Sequence, residues 1–147
     1  MTQEEKQLLF IDLCGRLLYG VILDVDNGKY REDKKIWPGL FYSYNLWDAK
    51  PYLRPMSSMT EEERNNLRAY CRTQEGIIYD IGVAGAINSV AIIDFLNAHH
   101  FDYRGLIEKG LALEAPDGMY NVSQKWTPLR SGLKENEDGQ IVGGVKL

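Results

Sequence analysis

Apolar residues near the N-terminus recur at the spacing of an amphipathic α-helix. Three leucines four residues apart share one helical face: Leu9, Leu13 and Leu17. Thr2 and Glu5 fit a capping box, in which each side chain accepts a hydrogen bond from the other residue's free backbone N–H. The pattern therefore predicts a helix from Thr2 to about Tyr19, ended by Gly20.

Further along the chain, alternation of apolar and polar residues replaces the helical spacing. Val21, Leu23 and Val25 alternate with more polar neighbours, which predicts a strand. Asn27-Gly28 is a strong turn signal, because both residues tolerate positive φ. We expect the charged stretch 29–35 to be a solvated loop or the outer part of a hairpin.

The stretch 36–47, IWPGLFYSYNLW, is the most aromatic part of the chain. Pro38-Gly39 predicts a turn, and the alternation from Leu40 to Trp47 predicts a strand with two partly apolar faces. The segment that follows contains Pro51 and Pro55, so we expect an irregular connector there.

The pattern predicts two more helices in the middle of the chain. A second capping box at Thr60 and Glu63 opens a helix that reaches about residue 72. A short strand at 77–81 and a Gly-rich turn then precede a helix from 88 or 89 to about 98. Its expected apolar positions are Val90, Ile93 and Leu96.

Both histidines of the chain lie in the segment 97–120, NAHHFDYRGLIEKGLALEAPDGMY. Asp102 is expected to cap a short helix that Gly110 ends in the left-handed conformation. The apolar alternation over 111–115 predicts a strand, and Asp117-Gly118 is expected to turn that strand into a hairpin.

Together these elements predict an α+β fold, in which three to four helices pack against a small antiparallel sheet. A helix–hairpin unit is expected at the C-terminal end of a single domain, residues 1–122. Residues 123–147 turn polar and Gly-rich, which predicts a polar tail or extended arm with Trp126 and Leu129 as anchors.

Composition narrows the range of partners and compartments. A chain of 147 residues that is 44% hydrophobic can bury a core. Its net charge of −4 disfavours nucleic acid and anionic membranes as partners. No stretch approaches the roughly 20 apolar residues of a membrane span, and the acidic N-terminus is not a signal peptide, so we expect a cytoplasmic protein. Cys14 and Cys71 are expected to be reduced core residues.

The first motif with possible chemistry is VILDVDNG, an apolar strand that ends in Asp24 and Asp26. It resembles the first motif of haloacid dehalogenase-like phosphatases, which implies a nucleophile at Asp24 and a general acid at Asp26. Asn27 stands where that family has glycine, and no later acidic pair for magnesium is present. The structural interpretation is a hairpin strand with two solvent-facing carboxylates, and the small-hydrolase interpretation is kept as an alternative.

The second candidate is the pair His99 and His100, followed by Asp102. A metal site needs about three clustered protein ligands, and adjacent helical residues diverge by about 100°. The favoured interpretation is a helix end, where partial positive charge is stabilising, and we predict neither a metal ion nor a cofactor. The alternative is a hydrolase site in which the fold brings a carboxylate or a serine to one of the histidines.

The order helix, helix, hairpin over residues 89–122 also resembles a winged helix, in which a recognition helix precedes a β wing. The expected recognition helix, 102–109, is short and contains only Arg104 and Lys109 as cations. A helix that reads DNA needs more donors, so winged-helix-like DNA binding is kept only as a second alternative.

Two blocks of sequence carry a family resemblance: KPYLRPMSSMTEEE and FLNAHHFDYRGLIEKGLALEAPDGMY. They resemble a family of short uncharacterised proteins of gut Bacteroides-type bacteria, often associated with phage-like or mobile DNA. The resemblance implies an intracellular accessory protein and assigns no activity, ligand or catalytic residue.

These patterns favour a non-enzymatic interaction or accessory protein of a mobile element, because aromatic residues are abundant and no catalytic set is complete. The expected partner is another protein or a second copy of the chain, and the C-terminal arm is a candidate for adding a strand to a partner's sheet. The candidate interaction or ligand surface comprises Trp37, Tyr42, Tyr44, Trp47, His99, His100 and Arg104.

Overall fold

The structure is a computed structural model that describes residues 1–43, 45–71, 83–122, 134–135 and 141–142. Its helices are α1 Gln3–Arg16, α2 Leu40–Ser43, α3 Glu61–Cys71 and α4 Val83–Ala98. Its strands are β1 Ile22–Asp26, β2 Arg31–Lys35, β3 Lys50–Leu53, β4 Leu113–Glu114, β5 Lys134–Glu135 and β6 Ile141–Val142. Short 3₁₀ turns lie at Leu46–Asp48 and Met56–Ser58. The predicted α+β class is confirmed.

The main sheet has four strands in the order β2-β1-β3-β4. β1 is antiparallel to both of its neighbours, whereas β3 and β4 are parallel. The sheet is thus mixed, where the sequence predicted only antiparallel pairing. The physical reason is the connection, because the chain between β3 and β4 contains two helices and is long enough for the crossover that parallel strands need.

The predicted hairpin is formed by β1 and β2, whose last ladder pair is Asp26 with Arg31. Asn27 Oδ1 accepts hydrogen bonds from the backbone N–H groups of Lys29 and Tyr30, and Gly28 has a φ of 87°. Leu23 and Val25 are fully buried, as the alternation predicted. β2 is a charged edge strand, which is a common protection of an open sheet edge against further pairing.

β3 occupies the segment that its prolines predicted to be irregular, and that prediction is wrong. Within a strand, successive residues direct their N–H and C=O groups to opposite sides. Leu53 O accepts a hydrogen bond from Ala115 N–H at 2.8 Å, so the nitrogen of Pro51 also faces the β4 side. β4 pairs with β3 from Tyr52 onward. Pro51 therefore precedes the parallel ladder and removes no hydrogen bond from it.

α1 begins with the predicted capping box, since Thr2 and Glu5 exchange hydrogen bonds of 2.7 and 3.1 Å. Its buried face follows the spacing i, i+3, i+4, i+7 and consists of Leu9, Asp12, Leu13 and Arg16. Two of these four residues are charged, which the leucine stripe did not predict. Cys14 is exposed, so its predicted place in the core is wrong.

The strand predicted from Leu40 to Trp47 is also wrong. The chain forms α2 and then a 3₁₀ turn, which Asn45 caps by accepting a hydrogen bond from Trp47 N–H. Apolar residues occupy both phases of the alternation in this stretch, so the period of two did not discriminate between strand and helix. Among the residues of this stretch whose burial is described, Leu40 alone is fully buried, whereas Tyr42 points into solvent.

The second capping box is confirmed at the start of α3, where Thr60 N–H donates to Glu63 and Glu63 N–H donates to Thr60 Oγ1. α4 begins earlier than predicted. Leu96 is buried, but Val90 and Ile93, which were expected on the same buried face, are exposed. The predicted strand at 77–81 lies outside the described residues.

The C-terminal part of the domain departs from the predicted helix–hairpin unit. Residues 103–110 form turns and no helix. Asp102 nevertheless accepts hydrogen bonds from two backbone N–H groups, those of Leu106 and Ile107, and Gly110 has the expected positive φ of 73°. No hairpin forms at Asp117-Gly118 among the described residues, because β4 pairs with β3 instead.

The described residues divide the core into two clusters. The main cluster lies between the sheet, α1 and the turns around Leu106, and includes Leu13, Leu23 and Leu53. The second cluster consists of Phe95, Leu96 and Phe101, flanked by residues of α3 and α4. The division of the chain into a domain at 1–122 and an arm at 123–147 stays a prediction, and Trp126 and Leu129 lie outside the described residues. Within that arm, β5 and β6 form a two-residue antiparallel pair.

Tyr120 attaches the chain that follows β4 to the sheet. Its hydroxyl accepts a hydrogen bond from Ile22 N–H at 2.9 Å and donates one to Tyr52 O at 2.8 Å. Burial raises the pKa of Tyr120 to about 12, so the hydroxyl stays protonated and able to donate. One side-chain oxygen therefore bridges β1 and β3 at the point where their direct pairing ends.

We expect Tyr120→Phe to lower the free energy of unfolding by about 1–3 kcal/mol, because it leaves a half-buried backbone N–H and a half-buried carbonyl without their partner. Urea unfolding followed by circular dichroism measures the change. Tyr30→Phe is the matched control, since Tyr30 is 61% exposed in the hairpin loop. Equal effects of the two substitutions would contradict the bridging role.

Candidate functional site

The histidine segment lies between two buried ion pairs. We define the two-arginine cluster as the ion pairs Arg16–Asp12 and Arg54–Glu63 together with the segment 99–102, which lies between them. All these residues are buried. The cluster connects α1, β3 and α3 to the chain that follows α4. It therefore determines the positions of the backbone and side chains around His99 and His100.

Arg16 and Asp12 form the first ion pair, and both side chains are completely buried. Arg16 Nε and Nη2 donate to the two carboxylate oxygens of Asp12 at 2.7 and 3.0 Å. Arg16 Nη2 also donates to Phe101 O at 2.7 Å, and its guanidinium lies 5.3 Å from the ring centre of Tyr103. Arg104 Nε approaches Asp12 at 3.5 Å without a well-aligned hydrogen bond. The helix α1 is thereby fastened to the segment that follows α4.

Arg54 and Glu63 form the second ion pair, with parallel hydrogen bonds of 2.7 and 2.9 Å. Nη1 and Nη2 of Arg54 also donate to His99 O and Ser58 O at 3.3 Å, and the guanidinium lies 4.3 Å from the ring centre of Phe101. Burial acts to raise the pKa of Glu63, but the hydrogen bonds from Arg54 and Thr60 N–H outweigh it and lower that pKa. Glu63 therefore holds a buried cation and caps α3 with the same carboxylate.

Backbone hydrogen bonds complete the attachment of the segment. Arg54 N–H donates to His100 O, and Asp102 N–H donates to Arg54 O, both at 2.8 Å. These two bonds extend β3 by a single parallel bridge between Arg54 and Phe101. The histidine pair consequently belongs to the edge of the sheet as much as to the end of α4.

We expect Glu63→Gln to destabilise the fold by about 3–5 kcal/mol, because glutamine keeps the helix cap but leaves the charge of Arg54 buried without a counter-charge. Urea unfolding measures this cost. The control is Glu61→Gln in the same helical turn, where the side chain is 72% exposed and a change within about 0.5 kcal/mol is expected. A loss for Glu63→Gln no larger than that for Glu61→Gln would show that the buried pair is not needed.

His99 is held by its own helix. Its Nδ1 lies 2.9 Å from Phe95 O, and its ring stacks on Phe95 with 4.1 Å between ring centres. Burial lowers the pKa of His99, an effect that the hydrogen bond to Phe95 O and the charge of Glu63 partly oppose. The imidazole is therefore a packed part of the second core cluster.

His100 has the more unusual environment. It adopts a φ of 62°, the left-handed conformation that a residue with a side chain seldom adopts. Its ring stacks on Tyr120 at 3.8 Å between centres, and Nδ1 is buried without a hydrogen-bond partner among the described residues. Burial, followed by the charges of Arg16, His99 and Arg54, lowers the pKa of His100 to about 3. The ring is neutral at physiological pH.

We expect the fold to lose stability as the pH falls below about 6.5, because the unfolded chain takes up a proton at His100 that the folded chain refuses until about pH 3. The loss from this one group is about 1.5 kcal/mol between pH 6.5 and 5, with a contribution of the same sign from His99. Glu63 titrates below this window, since its pKa is lowered from 4.5. Unfolding measured across the window should show a shallower dependence for His100→Asn, which tolerates positive φ. An unchanged slope would contradict the neutral, buried state of His100.

A pocket of about 350 Å³ opens beside His100. Its described lining residues come from the end of α1, from β1 and β2, from Arg54, from the end of α4 and from the chain around Tyr120. They are Tyr19, Gly20, Ile22, Lys35, Arg54, Ala98, His99, His100, Met119, Tyr120 and Asn121. The two-arginine cluster and the stacked His100–Tyr120 pair form part of its wall.

A separate group of aromatic residues lies on the outside of α1 and α2. We define the aromatic surface as Lys6, Phe10, Phe41, Tyr42 and Trp47. Phe10 and Phe41 meet edge to face at 5.7 Å, and Lys6 Nζ lies 5.6 Å from the ring centre of Trp47. Tyr42 is 93% exposed, Phe10 44% and Trp47 38%. Exposed aromatic rings held by one another are typical of protein interaction surfaces.

The predicted site residues thus lie in different parts of the structure and do not form one site. Tyr42 and Trp47 belong to the aromatic surface, whereas Trp37 is half-buried against the main core beneath Lys34. His99 and His100 are buried in or beside the two-arginine cluster, and Arg104 lies against Tyr103 at its edge. Tyr44 lies outside the described residues.

The carboxylates of the VILDVDNG motif are both engaged in the hairpin. Arg31 Nε donates to Asp24 at 2.9 Å, and Gly28 N–H donates to Asp26 Oδ1 at 2.8 Å. No group of three or more His, Cys, Asp or Glu suited to a metal ion occurs among the described residues. The helices within the described ranges include none that is both long enough and apolar enough to cross a membrane.

Sequence reasoning missed Asp12, Arg16, Arg54 and Phe10. Asp12 and Arg16 have the i, i+4 spacing of an ordinary surface ion pair, and only their register with Leu9 and Leu13 signals burial. Arg54 directly follows an apolar strand and directly precedes the proline of the next turn. The sequence pattern predicts a connector there, so this signal does not identify Arg54.

Comparisons of the chain with protein-family models, with curated proteins and with solved structures find no match. The geometry of the described residues is therefore the basis for assigning a function.

Proposed function

We propose that the protein is a non-enzymatic interaction protein that binds another protein through the aromatic surface. The observation that carries the proposal is Tyr42, an almost fully exposed aromatic side chain that directly follows Phe41 in α2. Phe41 in turn packs against Phe10 of α1. Exposing the apolar faces of these rings to water is unfavourable, so their burial under a partner lowers the free energy.

The rigidity of this surface supports the same proposal. α1 carries Lys6 and Phe10 on one side and is fastened on the other by the Asp12–Arg16 ion pair. Asn45 caps the turn that bears Trp47, and its amide group also donates to Asp48 at 2.8 Å. Side chains that are already held in place lose less conformational freedom on binding, which favours affinity.

The setting we propose is cytoplasmic, in an accessory role for a phage-like or mobile element. This part rests on the resemblance of the blocks at 50–63 and 95–120 to the Bacteroides-type family. In support, the two blocks contact each other, since Arg54 of the first donates to His99 O and lies against the ring of Phe101 in the second.

Neither alternative gains a specific observation. The expected DNA-reading helix at 102–109 consists of turns, and Arg104 lies near Asp12 and Tyr103. For a hydrolase, Asp24 and Asp26 are engaged in the hairpin, and His99 is hydrogen-bonded to its own helix.

We expect Tyr42→Ser to abolish capture of a protein partner that the wild-type chain retains, because a central aromatic contact commonly contributes 2 kcal/mol or more to binding, about a 30-fold change in affinity. The full-length tagged protein is used as bait in cells that express it, and captured proteins are quantified by mass spectrometry. A second variant, Trp47→Ala, should have the same effect.

Tyr30→Ser is the matched control for this experiment. Tyr30 is also an exposed tyrosine, but it lies in the β1–β2 loop and takes no part in the Phe10–Phe41 or Lys6–Trp47 contact. Sedimentation of the purified wild-type chain tests whether the partner is a second copy. Retention of every partner by both aromatic-surface variants, or equal loss with Tyr30→Ser, would refute the proposal.

A further inference from the structure

The pocket beside His100 is a second feature that interaction through the aromatic surface does not use. Its volume of about 350 Å³ is within the range of small-molecule sites. No residue of the aromatic surface is among its described lining residues. Its walls are largely fixed, since Tyr120 is hydrogen-bonded to two strands and stacked on His100.

The charged residues that line the pocket, Lys35 and Arg54, are both cations. None of its described lining residues carries a carboxylate, and Asp94, which accepts the hydroxyl of Tyr19, does not line it. Arg54 also lines the pocket, but Glu63 neutralises it at 2.7 Å. Lys35 takes part in none of the ion pairs formed by the described residues. It therefore supplies the pocket with one cation that is not held in an ion pair by any described residue.

Besides this cation, the pocket has a neutral hydrogen-bond donor, which is supplied by His100. The residue is about nine-tenths buried, and its Nδ1 has no partner among the described residues. A buried N–H without an acceptor is rarer than an acceptor without a donor, so the proton of the neutral ring belongs on Nε2. A left-handed backbone conformation costs energy, and such residues concentrate at binding sites.

We propose that this pocket binds a small organic monoanion whose carboxylate is held by Lys35 and by Nε2–H of His100. The apolar body of the ligand packs against the rings of Tyr120 and Tyr19 and against Ile22 and Met119, which line the same pocket. One unpaired cation with neutral donors matches a single negative charge better than the two of a phosphate monoester.

The test is a titration of the full-length protein with benzoate, followed by NMR of backbone amides and histidine side chains. We expect saturable shifts at His100 and Tyr120 with a dissociation constant of about 1 mM or tighter, given the small size of the probe. Lys35→Met should weaken binding by about tenfold or more, since it removes the charge and keeps the aliphatic chain. Capture of partners through the aromatic surface should be unaffected by this variant.

Lys34→Met is the matched control. Lys34 is the neighbour of Lys35 on β2, pairs with Glu32 at 3.3 Å and does not line the pocket, so its loss should leave binding unchanged. His100→Asn should weaken binding without loss of the fold, as verified by circular dichroism. Absence of saturable shifts, equal binding of neutral benzamide, or equal binding by Lys35→Met would overturn the proposal. Stronger displacement of benzoate by phosphate than by acetate would overturn the monoanion assignment.

Discussion

Two buried arginines and the groups that must satisfy them determine how the parts of this protein fit together. A guanidinium has five N–H donors and cannot shed its charge, so burying one requires a carboxylate and additional acceptors. Asp12 and Glu63 supply the carboxylates, and backbone carbonyls of His99 and Phe101 supply further acceptors. The chain that leaves α4 is consequently fixed between α1 and β3, and from there it reaches β4, the parallel strand at the sheet edge.

This arrangement also explains the state of the histidines. The two histidines directly follow the last residue of α4. They are buried because the two arginines donate hydrogen bonds to the peptide groups around them. The same positive charges, together with burial, keep His100 neutral. Its neutral ring then forms a wall of the pocket, and no residue of the aromatic surface is among the described lining residues. One helix thus stabilises the interior and presents the exposed rings of the proposed interface.

Local signals predicted much of the secondary structure correctly. Both capping boxes, the Asn27-Gly28 turn, the alternation in β1 and the left-handed Gly110 depend on neighbours within a few residues. Periodicity failed where apolar residues fell on both phases, as from Leu40 to Trp47, and proline was misleading in β3. Of the candidate surface, the sequence named Tyr42 and Trp47, but Phe10 and Phe41 joined them only through the packing of α1 against α2.

The sequence by itself determined the α+β class, the starts of α1 and α3 and the turn between β1 and β2, because those starts and that turn depend on backbone groups that adjacent side chains satisfy. The tertiary structure decided which charges are buried, that β4 lies parallel to β3, and that the histidines line a pocket. Asp12 and Arg16 look like any surface pair in the sequence, and Arg54 and Glu63 look unrelated. Their burial depends on contacts between residues far apart in the chain, such as Arg16 with Phe101, for which local spacing carries no information.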